Sequence, residues 1–340
     1  QRHSGCIWRG RVQFDKITVF WLTYTPFSYN IEPMKYIPRL LEEKIKYSLN
    51  RNKSVLLFGA RQTGKTTLIS RFDSALTISF IEPEVRQRYE KTPQALKNEI
   101  EAISSSQKRP LIILDEIQKV REILDVVQNL IDKGRANFIL TGSSARKLKR
   151  GAQVNLLPGR VTTFKLDPFS LSELAPKDLN ERLIFGSLPG ILLTDNDAER
   201  ETDLQSYVTT YLEEEVRAEA VVRNLGDFAR FLELAASESG GIINLRKLSQ
   251  EIDVAHTTIG AYYQILEDCL IAERIEPLTH SKTRKKLTKS EKYLFFDLGV
   301  RRLAAREGAK PSRETLGRLF DQFVGLELIR CAHVARHAVT

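Results

Sequence analysis

The segment that most constrains the fold of this chain runs from residue 59 to residue 66 and reads GARQTGKT. It matches the pattern G-x-x-x-x-G-K-[ST], in which glycines let the backbone turn tightly so that several N–H groups point at one phosphate chain. A β-prone apolar run precedes it at residues 54–58, and an amphipathic helical pattern follows it at residues 67–72. This context predicts a strand, a phosphate-binding loop and a helix, rather than a chance glycine turn.

The same octapeptide supplies candidate residues for binding ATP and Mg²⁺. Lys65 is expected to reach the β- and γ-phosphates, and the Thr66 hydroxyl is expected to bind the metal ion. Backbone N–H groups of the loop and of the helix that follows complete the predicted phosphate site. The remaining candidate nucleotide-binding residues here are Gly59, Ala60, Arg61, Gln62, Thr63, Gly64 and Thr67.

A pair of acids follows a second apolar run, at residues 111–114. Four residues of buried type before two carboxylates predict a central parallel strand that ends in Asp115 and Glu116. Ligands bind at that edge of open α/β sheets. We therefore expect Asp115 to hold Mg²⁺ and Glu116 to polarise the attacking water, which is the Walker B pattern. The alternative is a solvated surface pair, which the strand and the upstream loop disfavour.

Polar residues also end a further predicted strand. Residues 75–81 predict a strand between the phosphate loop and the acidic strand, and helical sequence follows from about residue 93 to residue 104. Residues 137–140 predict the next strand, which ends in the polar run from Thr141 to Ser144. Side chains there would lie beside the acidic strand and orient water against the γ-phosphate. An ordinary strand-ending turn is an equal alternative.

Arg160 lies at a predicted loop tip, directly before a fifth strand at residues 161–166. An arginine in that place can insert into the site of a neighbouring subunit and offset the transition-state charge on the phosphoryl group. A surface arginine or a local salt bridge is the alternative. We favour the first interpretation, which makes Arg160 a candidate catalytic residue of a homo-oligomer.

These motifs together resemble an AAA+ ATPase module over roughly residues 34–174. The stretches GARQTGKT, LDEIQ and LTGSS are similar to those of a group of poorly characterised prokaryotic AAA+ ATPases. The resemblance implies an α/β fold of the P-loop NTPase type, with five parallel strands in the order 5-1-4-3-2 and a helical lid. It also implies that Thr141 or Ser143 is the sensor 1 residue and that Arg160 acts in trans. Residues just before the first strand often line the adenine pocket in this superfamily; the candidates here are Tyr36, Ile37 and Arg39.

The composition is typical of a soluble globular protein of two or three domains. Of the 340 residues, 42% are hydrophobic and 28% are charged, and no apolar run approaches the length of a membrane span. The three cysteines are scattered, which argues against a disulfide framework or a zinc site and for a reducing compartment, so we expect a cytoplasmic protein. A net charge of +9 permits contact with nucleic acid without indicating it.

Residues 1–33 show no regular pattern, and the single methionine, Met34, precedes the first regular apolar spacing. We expect this segment to be an upstream, non-native or disordered extension; a short extension that packs on the protein is an equal alternative. The predicted nucleotide-binding domain then covers residues 34–175.

A helical lid and linker are predicted at residues 176–240. Apolar stripes that include Phe228 and Phe231 favour core packing of these helices over a cofactor site. Arg217 and Arg230 are available to sense nucleotide, but exposed salt bridges are the favoured interpretation for both.

A winged-helix domain is predicted at residues 241–305. Residues 244–252 and 256–268 have the spacing of a helix-turn-helix, and the strands of a wing are expected at residues 270–275 and 293–296. Between them lies a basic segment from Lys282 to Lys292.

Double-stranded DNA and protein are both open as partners of that domain. The side chains expected on the exposed face of the second helix can bond bases or phosphates; they are His256, Thr257, Thr258, Tyr262 and Gln264. The basic wing can follow a phosphate backbone. Against DNA, the second helix contains no Lys or Arg and carries Glu267 and Asp268.

The resemblance extends into the second half. Residues 265–271 and 293–299 look like parts of the C-terminal domain of unknown function that accompanies the same ATPase group. Residues 317–328 resemble the opening helix of its final module, which is similar to a restriction-nuclease fold. The chain stops at Thr340, before the acidic strand and the Glu-x-Lys-type motif of such a site. We therefore expect residues 306–340 to be the start of a truncated module without nuclease activity.

The favoured function is Mg²⁺-dependent ATP hydrolysis that drives remodelling or switching of a partner, with DNA as one possible location. The alternative is a nucleotide-gated module that binds DNA or protein with little turnover. A small-molecule kinase is less favoured, because a water-activating glutamate would waste ATP in a kinase. No membrane partner is expected.

Overall fold

The computed structural model describes residues 36–143, 160–176, 178–212, 224–277 and 291–335. The predicted extension at residues 1–33 lies outside the described residues, and residues 37–340 fall in one compact unit. The strands are β1 (Ser54–Phe58), β2 (Leu76–Ser79), β3 (Leu111–Asp115), β4 (Asn137–Gly142), β5 (Val161–Lys165), β6 (Ala272–Ile275) and β7 (Lys292–Phe295).

The helices of the first half are α1 (Leu40–Asn50), α2 (Lys65–Ile69), α3 (Pro83–Lys91), α4 (Gln94–Ser106) and α5 (Leu124–Asp132), with 3₁₀ turns at Ile117–Lys119 and Arg121–Ile123. Those of the second half are α6 (Leu179–Phe185), α7 (Pro189–Leu192), α8 (Asp197–Ser206), a π-helical turn (Tyr207–Leu212), α9 (Leu225–Ser237), α10 (Leu245–Ile252), α11 (His256–Asp268), α12 (Leu298–Ala304) and α13 (Arg313–Ala335).

The first five strands form one parallel sheet in the order β2-β3-β4-β1-β5. Read from the other edge, this is the order 5-1-4-3-2, so the predicted α/β fold class and sheet topology are confirmed. The register pairs Phe58 with Gly142 and Ser79 with Asp115. The C-terminal ends of these strands, which carry the sequence motifs, therefore meet at one edge of the sheet.

Both faces of the sheet are covered, which explains why its central strands read as continuous apolar runs. Successive side chains of a strand point to opposite faces. Accordingly, Leu56 and Phe58 of β1 pack in one core with α4 and α5, whereas Val55 and Leu57 pack in another with α1 and α2. The motif-bearing loops are thus anchored to the most buried part of the molecule.

The predicted helices of this half differ from the observed ones at their ends. α2 begins at Lys65 rather than at residue 67. The helical stretch expected from residue 93 is α4, and a separate helix, α3, precedes it. Pro83 occupies the first turn of α3, where a missing N–H costs nothing, and Pro93 separates the two helices because the residue before a proline disfavours helical geometry.

The two helices predicted at residues 244–252 and 256–268 are α10 and α11. The side chain of Asn244 caps α10 by accepting hydrogen bonds from the backbone N–H groups of Arg246 (3.1 Å) and Lys247 (3.2 Å). α10 ends at Ile252, the next residue, Asp253, turns the chain with a φ of +65°, and α11 spans the predicted residues 256–268. β6 and β7 then pair in antiparallel fashion. Most of the predicted basic wing lies outside the described residues.

Tyr262 is a correction to the predicted exposed face of α11. Its ring is buried and lies 5.0 Å from the ring of Phe228 and 5.2 Å from that of Phe231, measured between centroids. The pattern of apolar residues predicts one buried face, but α11 packs on two sides, against α10 and against α9. His256, Thr257 and Gln264 are exposed, and Thr258 is half-buried.

The last helix, α13, is buried along one side. Leu319, Phe323 and Leu326 form a small core with residues of α6, β7 and α12. Its other side exposes Phe320, Val324 and Leu328. Within the described ranges no helix combines the length and the apolar character that crossing a membrane requires.

Candidate functional site

The loop between β1 and α2 has a shape that depends on its two glycines. A Cβ atom on Gly59 would lie 2.6 Å from the carbonyl oxygen of Leu166 and 2.8 Å from the Thr63 hydroxyl, so no side chain fits there. Gly64 has a φ of +91°, which side chains rarely adopt. Gln62 also has a positive φ of 61°. This turn of the loop, residues 59–64, is called the cradle here.

Lys65 places its ammonium group inside this cradle. Its Nζ donates to the carbonyl oxygens of Gly59 (2.8 Å) and Ala60 (3.1 Å), and the side chain is buried. The Thr63 hydroxyl donates to the carbonyl of Ala60 at 2.9 Å and holds the same turn. A buried positive charge within a backbone nest is an arrangement that suits an anion such as a phosphate chain.

Asp115, at the end of β3, connects the loop to the neighbouring strand. Its Oδ2 accepts a hydrogen bond from the Thr66 hydroxyl at 3.3 Å, and its Oδ1 accepts one from the Thr141 hydroxyl at 2.5 Å. The carboxylate is buried, whereas Thr66 is exposed. A carboxylate and a hydroxyl are the hard oxygen ligands that Mg²⁺ prefers, and Mg²⁺ sites in nucleotide enzymes use few protein ligands.

Glu116 follows directly, in a left-handed conformation with φ of 58° and ψ of 45°. Its backbone N–H donates to the Thr141 hydroxyl at 3.0 Å. Its Oε1 lies 3.9 Å from the Lys65 Nζ, and its Oε2 accepts from the Ser143 hydroxyl at 3.0 Å. A non-glycine residue in this region costs on the order of 1 kcal/mol, and such strain clusters at functional sites.

Gln118 is the residue of this site to which the sequence assigned no role. Its Nε2 donates to Oε2 of Glu116 and, at 3.0 Å, to the Ser143 hydroxyl. The side chain is buried, and its Oε1 has no hydrogen-bond partner within the described part of the chain. The signal that would have found it is a polar residue close to Ile117 and Val120, two apolar residues that are fully buried.

The polar end of β4 has specific partners in the acid pair. Thr141 and Ser143 are two residues apart and therefore face the same side of the strand. Thr141 binds Asp115, and Ser143 binds Glu116. Both sensor candidates thus contact the acid pair; which of them senses the nucleotide stays a prediction.

Arg160 forms an ion pair with Asp132 at the end of α5, and both side chains are more than a third exposed. This is the local salt bridge that the sequence offered as the alternative. A contribution to a neighbouring subunit stays a prediction, and residues 144–159, which precede Arg160, lie outside the described residues.

Arg39, one of the adenine candidates, is bound on several sides by protein oxygens. Its guanidinium donates to the carbonyl oxygens of Thr63 (2.8 Å) and Asp167 (2.6 Å) and to Glu173 Oε1 (3.0 Å). These contacts place the group behind the phosphate loop rather than leaving it open for a base. Ile37 and Tyr36 are half-buried, and their role at the adenine stays a prediction.

The helical half also contacts the phosphate loop. The Tyr207 hydroxyl donates to the carbonyl of Arg61 at 3.3 Å. Ala60 packs in the core that contains Phe185 and Leu188. Of the two candidate sensing arginines, Arg230 donates to the backbone carbonyl of Glu251, and Arg217 lies outside the described residues.

Comparison with known proteins agrees with this arrangement. Residues 51–175 match the family model described as AAA domain, and residues 176–311 match a domain of unknown function (DUF8612). An uncharacterised protein of Mycobacterium tuberculosis is 26% identical over 259 residues, which are 76% of this chain and 57% of that protein. An uncharacterised protein of Methanocaldococcus jannaschii is 26% identical over 340 aligned residues, covering 85% of this chain and 71% of that protein.

Among solved structures, the chain is similar to a signal transduction ATPase with numerous domains and a tetratricopeptide repeat sensor from Pyrococcus horikoshii. The identity is 16%, the match covers 89% of this chain and 47% of that one, and the TM-score is 0.30, so this likeness supports no conclusion about function. The chain spans somewhat more than half the length, 57%, of its mycobacterial relative.

Proposed function

We propose that this chain, whose residues 51–175 match the AAA domain family model, binds ATP with Mg²⁺ and hydrolyses it. The observation that carries the proposal is the convergence of four side chains at one edge of the sheet. Lys65 and Thr66 come from the loop after β1, and Asp115 and Glu116 come from the end of β3. ATP hydrolysis needs a cation, a metal site and a water-orienting base in this combination.

The residues present fit a triphosphate and a metal ion. The loop needs glycine at residues 59 and 64, and Lys65 supplies a positive charge that would face the phosphates. Thr66 and Asp115 would hold Mg²⁺. The bound metal offsets negative charge on the phosphates.

Glu116 would act as the base that orients water and accepts its proton. Ser143 and Gln118 both hold Oε2 of this carboxylate, so its remaining oxygen, Oε1, is the one that faces Lys65. The Thr141 hydroxyl bonds both the Asp115 carboxylate and the backbone N–H of Glu116, and it thereby fixes the positions of the two acidic residues relative to each other. The chain's own residues thus hold the base in one orientation before any substrate arrives.

Turnover is proposed to drive the remodelling or switching of a partner. Two contacts support this, the hydrogen bond from Tyr207 to Arg61 and the packing of Ala60 in the core of the helical half, because they join the phosphate loop to the elements that would move. The same contacts support the second candidate function, a nucleotide-gated binding module with slow turnover. The rates of ATP hydrolysis and of nucleotide release, measured in single-turnover experiments, separate these functions. Hydrolysis that is faster than release of unhydrolysed ATP supports the remodelling ATPase, and slower hydrolysis supports the binding module.

Residues 241–305 are proposed to form a winged-helix domain that binds double-stranded DNA or a protein. His256, Thr257 and Gln264 support DNA as the partner, because they remain exposed on α11. The test is a salt-titrated mobility-shift assay with duplex DNA, with and without ATP and Mg²⁺. A nucleotide-dependent shift that weakens with salt supports DNA, and its absence favours a protein partner.

The test of the ATPase itself is phosphate release from Mg²⁺·ATP by the purified chain at several protein concentrations. A specific activity that rises with concentration is expected, because Arg160 is proposed to act across a subunit boundary. Activity that is absent at every concentration, from folded protein that also binds no ATP, contradicts the proposal.

A further inference from the structure

A short segment after β5, residues 167–173, lies between the last helix and the phosphate loop; it is called the strap here. α13 holds one side of it through three residues. Glu327 Oε2 accepts from the backbone N–H of Leu171 at 2.8 Å, and Arg330 donates to the carbonyl of Phe169 at 3.2 Å. His333 Nδ1 donates to the Asp167 carboxylate at 2.8 Å. The spacing of three residues puts these side chains on one face of the helix.

Arg39 holds the same strap from the other side. It donates to the carbonyl of Asp167 at 2.6 Å and to the Glu173 carboxylate at 3.0 Å, and its guanidinium lies 4.7 Å from the centroid of the Phe169 ring. Asp167 and Phe169 are therefore contacted both by α13 and by Arg39. A shift of the strap on one side changes the environment of the group on the other.

Arg39 then reaches the phosphate loop directly. Its Nη1 donates to the carbonyl of Thr63 at 2.8 Å, immediately before Gly64 and Lys65. The side chains of Arg39 and Glu173 are only 5% and 6% exposed, so this ion pair is shielded from water. The Arg39 guanidinium is hydrogen-bonded to protein groups, so its position depends on the positions of those groups.

The charges of the strap support a fixed geometry. Burial works against ionisation of Asp167, but the hydrogen bond from His333 and the positive charges of Lys165 and Arg330 outweigh it, so the pKa of this carboxyl lies below its ordinary value. The Asp167 side chain is therefore favoured in the ionised form that accepts the hydrogen bond of His333.

We propose that α13 positions the phosphate loop through the strap and Arg39, with His333 and Arg39 as positioning residues, so that displacement of α13 lowers the affinity for nucleotide. The proposal rests on the ATP-binding function proposed for the loop. Arg39 precedes the matched AAA domain, and α13 follows the matched domain of unknown function. The coupling would thus join two segments that flank both matched domains.

The competing explanation is that α13 only stabilises the fold. The test measures binding of a fluorescent, non-hydrolysable ATP analogue with Mg²⁺ to the full chain, together with its thermal unfolding. His333→Ala is expected to weaken binding by about three- to thirtyfold, the range typical of energetic coupling. It should raise KM for ATP with kcat little changed. His333→Asn, which can place an amide N–H near the position of Nδ1, is expected to restore binding.

Asp321→Ala is the matched control, because Asp321 is exposed on the same helix. It is expected to leave binding within about twofold of the parent. A double-mutant cycle sharpens the test, since residues that act in one series are not additive. His333→Ala combined with Arg39→Lys should bind no more weakly than Arg39→Lys alone. If the fold-loss of affinity in the double variant equals the product of the two single losses, the proposal is overturned. Parental affinity in a folded His333→Ala variant overturns it as well.

Hydrogen exchange of the nucleotide-free chain separates failure of this proposal from failure of the ATP function. His333→Ala should accelerate exchange of the backbone amides in a peptide covering residues 59–69, and unchanged exchange overturns the coupling even if the parent binds no ATP. Glu327→Gln, which weakens the contact with Leu171, replaces His333→Ala if that variant does not fold.

Discussion

The nucleotide half of this chain and its C-terminal half differ in how closely their chemistry follows from the sequence. In the first half, Lys65, Thr66, Asp115 and Glu116 meet at one sheet edge, as the motifs predict. In the second half, helices and strands lie where predicted, but Tyr262 was assigned to a surface and lies in the core. Phosphate chemistry dictates residue types and spacing, whereas partner recognition by a helix does not.

The comparison predicts that substitutions in the first half affect turnover far more than stability, and that the reverse holds in the second. The largest effect is expected for Lys65→Ala, which removes the hydrogen bonds of the ammonium group to the Gly59 and Ala60 carbonyls and the positive charge within the cradle. Binding of Mg²⁺·ATP should be abolished in calorimetric titration. Retained binding with parental affinity would contradict the assigned role of the loop.

Glu116→Gln comes next. The amide cannot accept the proton of water, so hydrolysis should fall by about 10²- to 10⁴-fold while ATP stays bound. Single-turnover phosphate release and filter binding measure the two quantities separately. Turnover at the parental rate would remove Glu116 from its proposed role.

Arg160→Ala tests whether one chain supplies all the catalytic residues of its own ATPase site. If Arg160 acts on a neighbouring subunit, turnover should fall by at least about 10²-fold. Mixing this variant with Lys65→Ala protein should restore activity, because each chain supplies what the other lacks. Asp132→Ala is the matched control, since it removes only the partner of the local ion pair. No recovery on mixing argues against shared sites.

A smaller effect is expected for Gln118→Ala. Loss of the hydrogen bond to the Glu116 carboxylate should reduce turnover by about tenfold, the equivalent of one bond to a charged group. Nucleotide affinity should stay near the parental value. Ser143→Ala combined with it should cost less than the product of the two single losses, because both bind Oε2. Lys119→Ala, one residue on, serves as the control.

The smallest effect on turnover is expected for Tyr262→Ala, a substitution in the second half. Tyr262→Ala should lower the free energy of unfolding by about 3 kcal/mol, because its ring packs on Phe228 and Phe231. ATP turnover below the unfolding temperature should change little. Gln264→Ala, on the exposed side of α11, should leave stability unchanged. A large loss of turnover in folded Tyr262→Ala protein would contradict the expectation that substitutions in the second half affect stability more than turnover.

Much of the candidate site could be predicted because strands in a parallel sheet end at a common edge. Apolar runs placed β1, β3 and β4 correctly, and the sheet order followed from the resemblance. Gln118 escaped prediction because its contact with Glu116 depends on a 3₁₀ turn and a left-handed residue, which have no periodic signature. The sequence named Arg39 as an adenine candidate, but its hydrogen bonds to Asp167 and Glu173 could not be predicted because these partners are more than 120 residues away in sequence.

The most direct test of the central claim is an equilibrium titration of the folded chain with ATP, with and without Mg²⁺. We expect saturable binding that strengthens with Mg²⁺, because Thr66 and Asp115 would hold the ion against the phosphates. A folded chain that binds neither ATP nor another purine triphosphate in the presence of Mg²⁺ would contradict the assignment of the loop and the acid pair.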